Sequence, residues 1–238
     1  MAVHSMKDVP TRYQEGLGIS AVLPRADHRD AFISKKFNRL DDLPMGALVG
    51  TASIRRRAQL SALRPDIKYC LLRGNVGTRL SKLEDGVCDA TFLACAGLKR
   101  LGQADVITQA IEIDVMLNAP AQGAVGIETR GDNHAANMAL AQLNHEPTLL
   151  AISAERGFLE GLDGSCRTPI AAYAAFENDG LNLRGEILAL SGAERFSAQI
   201  TQQINDADKA REMGLKLAAK IREEVGDFKR LFEEEKPG

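Results

Sequence analysis

The chain has 238 residues, 45% of them hydrophobic and 26% charged, and its formal net charge is −2. This composition excludes an intrinsically disordered chain, and no stretch approaches the roughly 18 apolar residues of a membrane span. The near-neutral charge excludes a global basic surface for nucleic acid, and the opening MAVHSMKDVP does not match a signal peptide. We therefore expect a cytoplasmic protein of about two domains that binds neither nucleic acid nor membrane.

Strands and helices are predicted to alternate along the first two thirds of the chain. An opening strand leads into VHSMKDVP and ends at Pro10, and residues 18–24 form a second strand. Residues 24–34 are predicted to be a polar turn or crossover. Further on, the predicted strands are ALVGT, IKYCLL, DATFLACAG and GAVGIE, and the predicted helices are SIRRRAQLSALRP and NVGTRLSKLEDG. Such alternation indicates βαβ units and a largely parallel sheet.

The last third of the sequence has a different pattern. Predicted helices over 133–144 and 148–162 precede three predicted strands, PIAAYAAFE, LNLRGEILAL and RFSAQITQQI. A long helix over 207–225 follows, with its apolar residues along one side. We predict a separate α+β unit of three strands and helices from about residue 146.

Arginines follow two neighbouring strands of the predicted sheet. Ser53 is a suitable N-cap for a helix that opens with three arginines at positions 55–57, and Arg73 and Arg79 flank the next strand-to-helix junction. Open α/β sheets bind ligands at the carboxyl ends of their strands, so both junctions indicate one site for a polycarboxylate or a phosphate. The alternative is an arginine-rich helix face exposed to solvent.

A lysine and an aspartate follow the opening strand. Lys7 could bind an anion, and Asp8 beside it could transfer protons. The alternative is an ordinary polar turn before Pro10.

The cysteines differ in their surroundings. Cys70 and Cys95 lie in apolar runs and are predicted to be small core residues, whereas Cys166 lies in a polar turn beside Arg167, which favours its thiolate. Cys166 could be a nucleophile, a covalent attachment point or an unused thiol. The spacing of the cysteines and histidines does not match a zinc site.

Five segments, in this order, resemble the motifs of one family. They are VHSMKDVP, GTASIRRRAQL, LRGNVGTRL, APAQGAVGIE and GSCRTPIA. These segments are similar to motifs of the porphobilinogen deaminases (hydroxymethylbilane synthases), and the resemblance extends from Ala2 to the final helix. It implies a transferase of tetrapyrrole (heme) biosynthesis that joins four porphobilinogen molecules head to tail into linear hydroxymethylbilane and releases ammonia. The implied partners are porphobilinogen and the growing polypyrrole, and a monomer is expected.

The resemblance also implies roles for single residues. By motif match, Cys166 would carry a dipyrromethane cofactor through a thioether, and Asp8 would be the catalytic carboxylate. No metal is implied. The residues expected to bind the cofactor or substrate are Lys7, Asp8, Thr51, Ser53, Arg55, Arg56, Arg73 and Arg79.

The fold that the resemblance implies is α/β. It has two βαβ domains like the halves of periplasmic binding proteins, and a C-terminal α+β domain of three strands and helices that carries the cofactor cysteine. Domain 1 would comprise residues 1–23 and 119–142, domain 2 residues 24–118, and the C-terminal domain residues 146–238. Family members begin with a further strand, loop and helix, so domain 1 is expected to be truncated and activity of this form to be weak or absent.

Two other functions remain open on the residues alone. The chain could be an inactive remnant or a non-catalytic polycarboxylate-binding module of periplasmic-binding-protein type, which would not need Cys166. It could also bind nucleic acid through the arginines at 55–57, although only 5% of its residues are aromatic and no basic stripe accompanies them.

Overall fold

The computed structural model describes residues 1–11, 13–164, 168–228 and 231. The described residues form three sheets with helices packed against them, a mixed α/β arrangement that confirms the predicted class. The strands are β1 (Ala2–Ser5), β2 (Leu17–Val22), β3 (Asp30–Ser34), β4 (Leu48–Gly50), β5 (Lys68–Cys70), β6 (Ala90–Ala94), β7 (Gln109–Ile111), β8 (Val125–Arg130), β9 (Ile170–Glu177), β10 (Gly180–Leu188) and β11 (Arg195–Gln202). The helices are α1 (Ile54–Leu63), α2 (Val76–Glu84), α3 (Cys95–Arg100), α4 (His134–Ala141), α5 (Glu146–Gly161) and α6 (Ala207–Val225). No helix in the described ranges is long and apolar enough to cross a membrane.

The first sheet, sheet A, joins the start of the chain to a segment more than a hundred residues later. Its strand order is β1-β8-β2, and both pairings are antiparallel. A one-turn 3-10 helix, Met6–Asp8, follows β1. Met6 is buried, and a side chain at Gly126 in β8 would meet its sulfur at 2.2 Å, so glycine is required there for Met6 to pack.

Sheet B has five strands in the order β5-β4-β6-β3-β7. The predicted parallel pairing holds for β5, β4 and β6, but β3 and β7 are antiparallel to their neighbours. The prediction of a polar turn or crossover over 24–34 is therefore wrong in its second half. Residues Asp30–Ser34 form β3, a strand buried on both faces of the sheet. Phe32 packs into one core cluster, and Ala31 and Ile33 pack into another.

A smaller correction concerns the strand predicted at DATFLACAG. The strand ends at Ala94, and Cys95 begins α3 with its side chain in the core. Cys95 is thus the core residue that was expected, but in a helix. Cys70 is only half-buried.

The three C-terminal strands form sheet C, an antiparallel meander in the order β11-β10-β9, as predicted. Helices α5 and α6 cover one face of this sheet and pack closely on each other. Gly157 and Gly214 permit this approach, since a side chain at either position would meet backbone atoms of the other helix at 2.2 and 2.1 Å.

Helix α5 also connects sheet C to the rest of the molecule through Glu155, which is fully buried. Its carboxylate accepts hydrogen bonds from the Arg25 guanidinium at 2.6 and 3.0 Å. It also accepts the backbone N–H groups of Ala121 at 2.5 Å and of Ala174 in β9 at 2.7 Å. Because a buried carboxylate needs such partners, Glu155 ties sheet C to the two segments, around Arg25 and Ala121, that connect sheets A and B.

Candidate active site

A cleft of about 330 Å³ opens where β4 ends, between sheet B, the 3-10 turn after β1 and the start of sheet C. Several of the residues predicted from sequence share this cleft, together with the start of the APAQG motif. The residues that line it are Lys7, Asp8, Ala52, Ser53, Arg55, Arg56, Arg79, Ala119, Pro120, Gln122, Leu159, Thr168 and Ile170. The volume is within the range of about 300–1,000 Å³ that is typical of small-molecule sites.

The backbone between β4 and α1 forms one wall of the cleft. Ser53 caps α1 by accepting the N–H of Arg56 at 3.4 Å, and the hydroxyl of Thr51 accepts the N–H of Ser53 at 3.1 Å. A side chain at Gly50 would lie 2.7 Å from the sulfur of Cys88, so this strand end can approach β5 and β6 only as glycine. The N-terminus of α1 is therefore held at the edge of the cleft, where its dipole favours anions.

The first two arginines of α1 are buried around a single carboxylate, Asp30 at the start of β3. Arg56 donates to Asp30 from Nε at 3.1 Å and from Nη2 at 2.7 Å, and Arg55 Nη1 is 2.8 Å from the second carboxylate oxygen. Arg55 and Arg56 are 5% and 6% exposed, and Asp30 is 1% exposed. We call these three residues the Asp30 brace.

Each of the two guanidinium groups also donates to a backbone carbonyl. Arg55 donates to the carbonyl of Leu117 at 2.7 Å, and Arg56 donates to that of Phe92 at 2.7 Å. A guanidinium has more N–H donors than these contacts use, so both side chains keep donors for a ligand in the cleft. The third arginine differs, because Arg57 is exposed and its guanidinium carbon lies 5.5 Å from the centre of the Tyr69 ring.

Charge interactions in the brace are strong because water is excluded. Burial opposes ionisation of Asp30, but the two arginines outweigh it and hold the pKa of this carboxyl well below its ordinary value. Burial lowers the pKa of Arg55, with the charge of Asp30 acting in the opposite direction. One carboxylate between two guanidinium groups leaves an excess of positive charge at the cleft wall.

The APAQG motif braces the same carboxylate from the other side. Gln122 donates from its amide to Asp30 at 3.0 Å and to the carbonyl of His28 at 2.7 Å. This segment contains two residues with positive φ, Ala121 at 61° and Gly123 at 89°. The strained Ala121 is held by the hydrogen bond from its N–H to Glu155.

The second arginine junction, between β5 and α2, is built differently. Asn75 caps α2 by accepting the N–H of Thr78 at 2.8 Å, and Arg79 donates from Nε to the carbonyl of Gly74 at 2.8 Å. Arg79 is half-buried and lines the cleft, while Arg73 is exposed and is not among the lining residues. Burial and the positive charge of Arg56 lower the pKa of Arg79, so the two junctions act on one another.

Lys7 and Asp8 lie in the 3-10 turn that faces the arginines across the cleft. The Lys7 residue is exposed to the cleft opening, yet protein surrounds it on most sides. This partial desolvation, followed by the charge of Arg56, lowers the pKa of Lys7, while Asp8 and Asp30 act in the opposite direction. Lys7 therefore lies in a partly desolvated position close to the arginines, and both residues line the cleft.

Sequence reasoning located part of this site and missed another part. Lys7, Asp8, Ser53, Arg55, Arg56 and Arg79 line one cleft, and Thr51 supports its wall. Asp30 and Gln122 were not predicted, although an aspartate beside the apolar run AFI was a signal that something cationic must pair with it. Cys166 lies outside the described residues, between Gly164 and Thr168.

Comparison with known proteins gives a family for this chain. Residues 1–138 match the family model described as porphobilinogen deaminase, dipyromethane cofactor binding domain, and residues 149–223 match its C-terminal domain. A porphobilinogen deaminase of Paracoccus denitrificans is 51% identical over 222 residues, which cover 93% of this chain and 70% of the relative.

Solved structures of periplasmic proteins align with about half of this chain. A candidate methionine-binding lipoprotein of Bacillus subtilis has 16% identity and a TM-score of 0.40, with 55% of this chain and 62% of that chain covered. An arginine-specific periplasmic binding protein of Salmonella typhimurium has 12% identity and a TM-score of 0.32, with 53% and 55% covered. Likeness at this level carries no argument about function. The family models and the 51% identical relative do, and they show that the chain belongs to the porphobilinogen deaminase family.

Proposed function

We propose that this protein is a transferase that joins four porphobilinogen molecules head to tail into linear hydroxymethylbilane, releasing ammonia at each step, in tetrapyrrole biosynthesis. Membership of the family supports this activity. The structural observation that carries the assignment of residues is the placement of Lys7 and Asp8 opposite three arginines in one cleft. A carboxylate that can transfer protons thereby lies beside cations that can bind an acidic substrate.

The cleft fits a dipyrromethane cofactor. The matching family model is that of the dipyromethane cofactor binding domain. Each pyrrole of such a group carries an acetate and a propionate, and the excess positive charge at the Asp30 brace, with Lys7 and Arg79, complements those carboxylates. We propose that Lys7, Asp8, Thr51, Ser53, Arg55, Arg56, Arg73 and Arg79 hold it and that Cys166 attaches it covalently. When bound, it supplies the free pyrrole carbon at which the chain is extended.

The arginines and the lysine bind and orient the substrate in this proposal. Arg55 and Arg56 cannot move freely, because Asp30 and two backbone carbonyls hold them. Their remaining N–H donors are therefore preorganised for the carboxylates of porphobilinogen, which lowers the entropic cost of orienting the substrate. The half-exposed Arg79 contributes a further cation from the opposite junction.

Asp8 is the proposed proton-transfer residue. Its carboxyl group delivers a proton to the amine of porphobilinogen as the carbon–nitrogen bond breaks and the electron pair leaves with ammonia. The carboxylate then balances the positive charge left on the substrate pyrrole. It recovers a proton from the pyrrole carbon at which the new carbon–carbon bond has formed, so Asp8 ends the step as it began.

We further propose the domain bounds expected from sequence, 1–23 with 119–142, 24–118 and 146–238. Support comes from the sheets, since sheet A draws strands from both parts of the first unit, while sheets B and C each lie within one unit. We also propose a cytoplasmic monomer. We propose that it binds no nucleic acid, which the net charge of −2 supports.

The test is to incubate the purified chain with porphobilinogen and to measure ammonia release together with the intact mass of the denatured protein. The proposed function predicts ammonia release at a measurable rate, however low, and a mass surplus of two linked pyrrole units on the peptide that contains Cys166. Asp8→Asn should keep the mass surplus and lose about a hundredfold or more in kcat, because an amide cannot transfer the proton.

Asp132→Asn is the matched control, since Asp132 is exposed, pairs with Arg130 and lies outside the cleft. It should leave kcat unchanged. An unmodified Cys166 peptide without ammonia release would contradict the proposed function, and full activity of Asp8→Asn would contradict the role of Asp8.

A further inference from the structure

Arg156 in α5 is a buried arginine that does not line the cleft and binds the backbone around Asp8. Only 9% of the residue is exposed. Burial of a guanidinium is costly unless its N–H donors are satisfied, so its partners indicate what it is for. Nothing in the sequence marks it beyond a charged pair, Glu155 and Arg156, inside an apolar helix.

The partners of Arg156 are backbone carbonyls on both sides of Asp8. Its Nη1 donates to Val9 at 3.0 Å and makes a longer contact of 3.4 Å to Met6, and its Nη2 donates to Pro10 at 2.6 Å. The guanidinium carbon also lies 5.2 Å from the centre of the Tyr13 ring. One side chain thus holds the entry and the exit of the turn that carries Asp8.

The turn needs such an anchor because its own hydrogen bonding is weak. The single closing bond of the 3-10 turn, from Val9 N–H to the Met6 carbonyl, is 3.4 Å long, and the Ser5 side chain makes no cap. On the side of sheet A, Met6 is fixed by its N–H bond to Ala124 at 3.0 Å and by burial of its side chain. Lys7 and Asp8 themselves are exposed, so the backbone of the turn sets the positions from which their side chains extend into the cleft.

We infer that Arg156 is a positioning residue for Asp8, which it holds in place through the backbone carbonyls of Met6, Val9 and Pro10. The inference rests on the proposed function, in which Asp8 transfers the proton. It adds that helix α5, which packs on sheet C, aligns the catalytic carboxylate with the cleft, although Asp8 lies in the turn that follows β1 of sheet A. Small displacements of a proton-transfer group reduce kcat strongly, whereas substrate affinity depends on the arginines of the opposite wall.

The experiment compares Arg156→Gln with Arg211→Gln. Arg211 is a matched control because it is also an arginine at the α5–α6 contact, but it pairs with the Glu160 carboxylate at 2.6 Å on the surface. Two readouts are taken on the full chain. They are hydrogen exchange of the backbone amides from Met6 to Val9, and steady-state kcat and KM with porphobilinogen.

We expect Arg156→Gln to accelerate exchange in the Met6–Asp8 turn and to lower kcat at least tenfold with KM changed less than threefold. Arg156→Lys should recover part of kcat, because one ammonium can reach only some of the three carbonyls. Arg211→Gln should alter neither readout. If Arg156→Gln does not fold, the same comparison is made with Arg156→Lys, whose smaller loss of kcat should still come without a rise in KM.

Unchanged exchange in the turn overturns the inference whatever happens to kcat, and so does unchanged kcat with faster exchange. A rise in KM alone would show that Arg156 acts on binding and would also overturn it. If the unaltered chain shows no turnover, the proposed function fails, and the exchange measurement alone then decides whether Arg156 holds the turn.

Discussion

The two arginine junctions look alike in the sequence and are built in opposite ways in the structure. At the junction of β4 and α1, Arg55 and Arg56 are buried and share the carboxylate of Asp30. At the junction of β5 and α2, Arg73 is exposed and Arg79 is held by one bond to the carbonyl of Gly74 within its own loop. The first junction is therefore rigid and the second is free to adapt.

From this difference we expect the two loops to have different functions in substrate binding. A preorganised pair of guanidinium groups orients a carboxylate with little entropic cost, but it depends on the surrounding fold. A half-exposed arginine can follow carboxylates that arrive in different places, as expected for a cleft that takes a growing polypyrrole. Substitutions at the first junction should therefore lower both the stability of the fold and the affinity for substrate. Substitutions at the second junction should lower the affinity for substrate alone.

The largest effect is expected from Asp30→Asn. This change leaves Arg55 and Arg56 buried beside one another without a counter-charge, which should lower the free energy of unfolding by about 3 kcal/mol or more. Urea denaturation monitored by circular dichroism measures it. Asp132→Asn, which removes an exposed carboxylate paired with Arg130 on the surface, is the control and should have little effect. Equal effects of the two changes would show that the brace is not a source of stability.

The same brace predicts a dependence on pH. The pKa of Asp30 is depressed in the folded state, so its contribution is complete above the unfolded pKa of about 3.9 and is lost as pH falls below that value. The difference in unfolding free energy between the unaltered chain and Asp30→Asn should stay constant between about pH 5 and 8 and shrink below about pH 4. A difference that grows on acidification would contradict the assigned ionisation.

An intermediate effect is expected when single arginines of the two junctions are compared. Arg79→Gln should raise KM for porphobilinogen about tenfold, because one charge-assisted hydrogen bond to the substrate is lost. It should leave the urea midpoint unchanged. Arg55→Gln should lower both the urea midpoint and kcat/KM, because Asp30 and the Leu117 carbonyl each lose a donor. Destabilisation of similar size by both changes would remove the distinction between a rigid and an adaptable junction.

The smallest effect is expected from the helix caps. Here the second junction should contribute more to stability than the first. The Asn75 side chain accepts the N–H of Thr78 at 2.8 Å, whereas the Ser53 cap at α1 is 3.4 Å long. Asn75→Ala should cost about 1 kcal/mol of unfolding free energy and Ser53→Ala clearly less. Asn133→Ala, at the 3.2 Å cap of α4, serves as an intermediate reference. A larger cost at Ser53 would mean that this hydroxyl has a partner besides the helix.

Local pattern was sufficient to predict most elements. Helix α6 begins and ends at the predicted residues, and the three strands of sheet C lie where alternation and turn residues placed them. The strand β3 was missed because Asp27, His28 and Arg29 precede it and make the segment look like a polar loop. Those side chains all have partners in the structure: Arg29 is bonded to the neighbouring Asp27, and His28 is stacked on the distant Tyr173 in β9 at 4.1 Å.

The sequence by itself determined the family, the alternation of elements and the set of cationic residues, because motifs and periodicity are local properties of the chain. Only the tertiary structure decided which of those cations are fixed and which are free. Asp30, Gln122 and Arg156 reach their partners across 26, 92 and 147 positions of sequence, respectively. Such contacts depend on how the three sheets pack, since burial makes each unpaired charge costly and only packing brings its partner within reach.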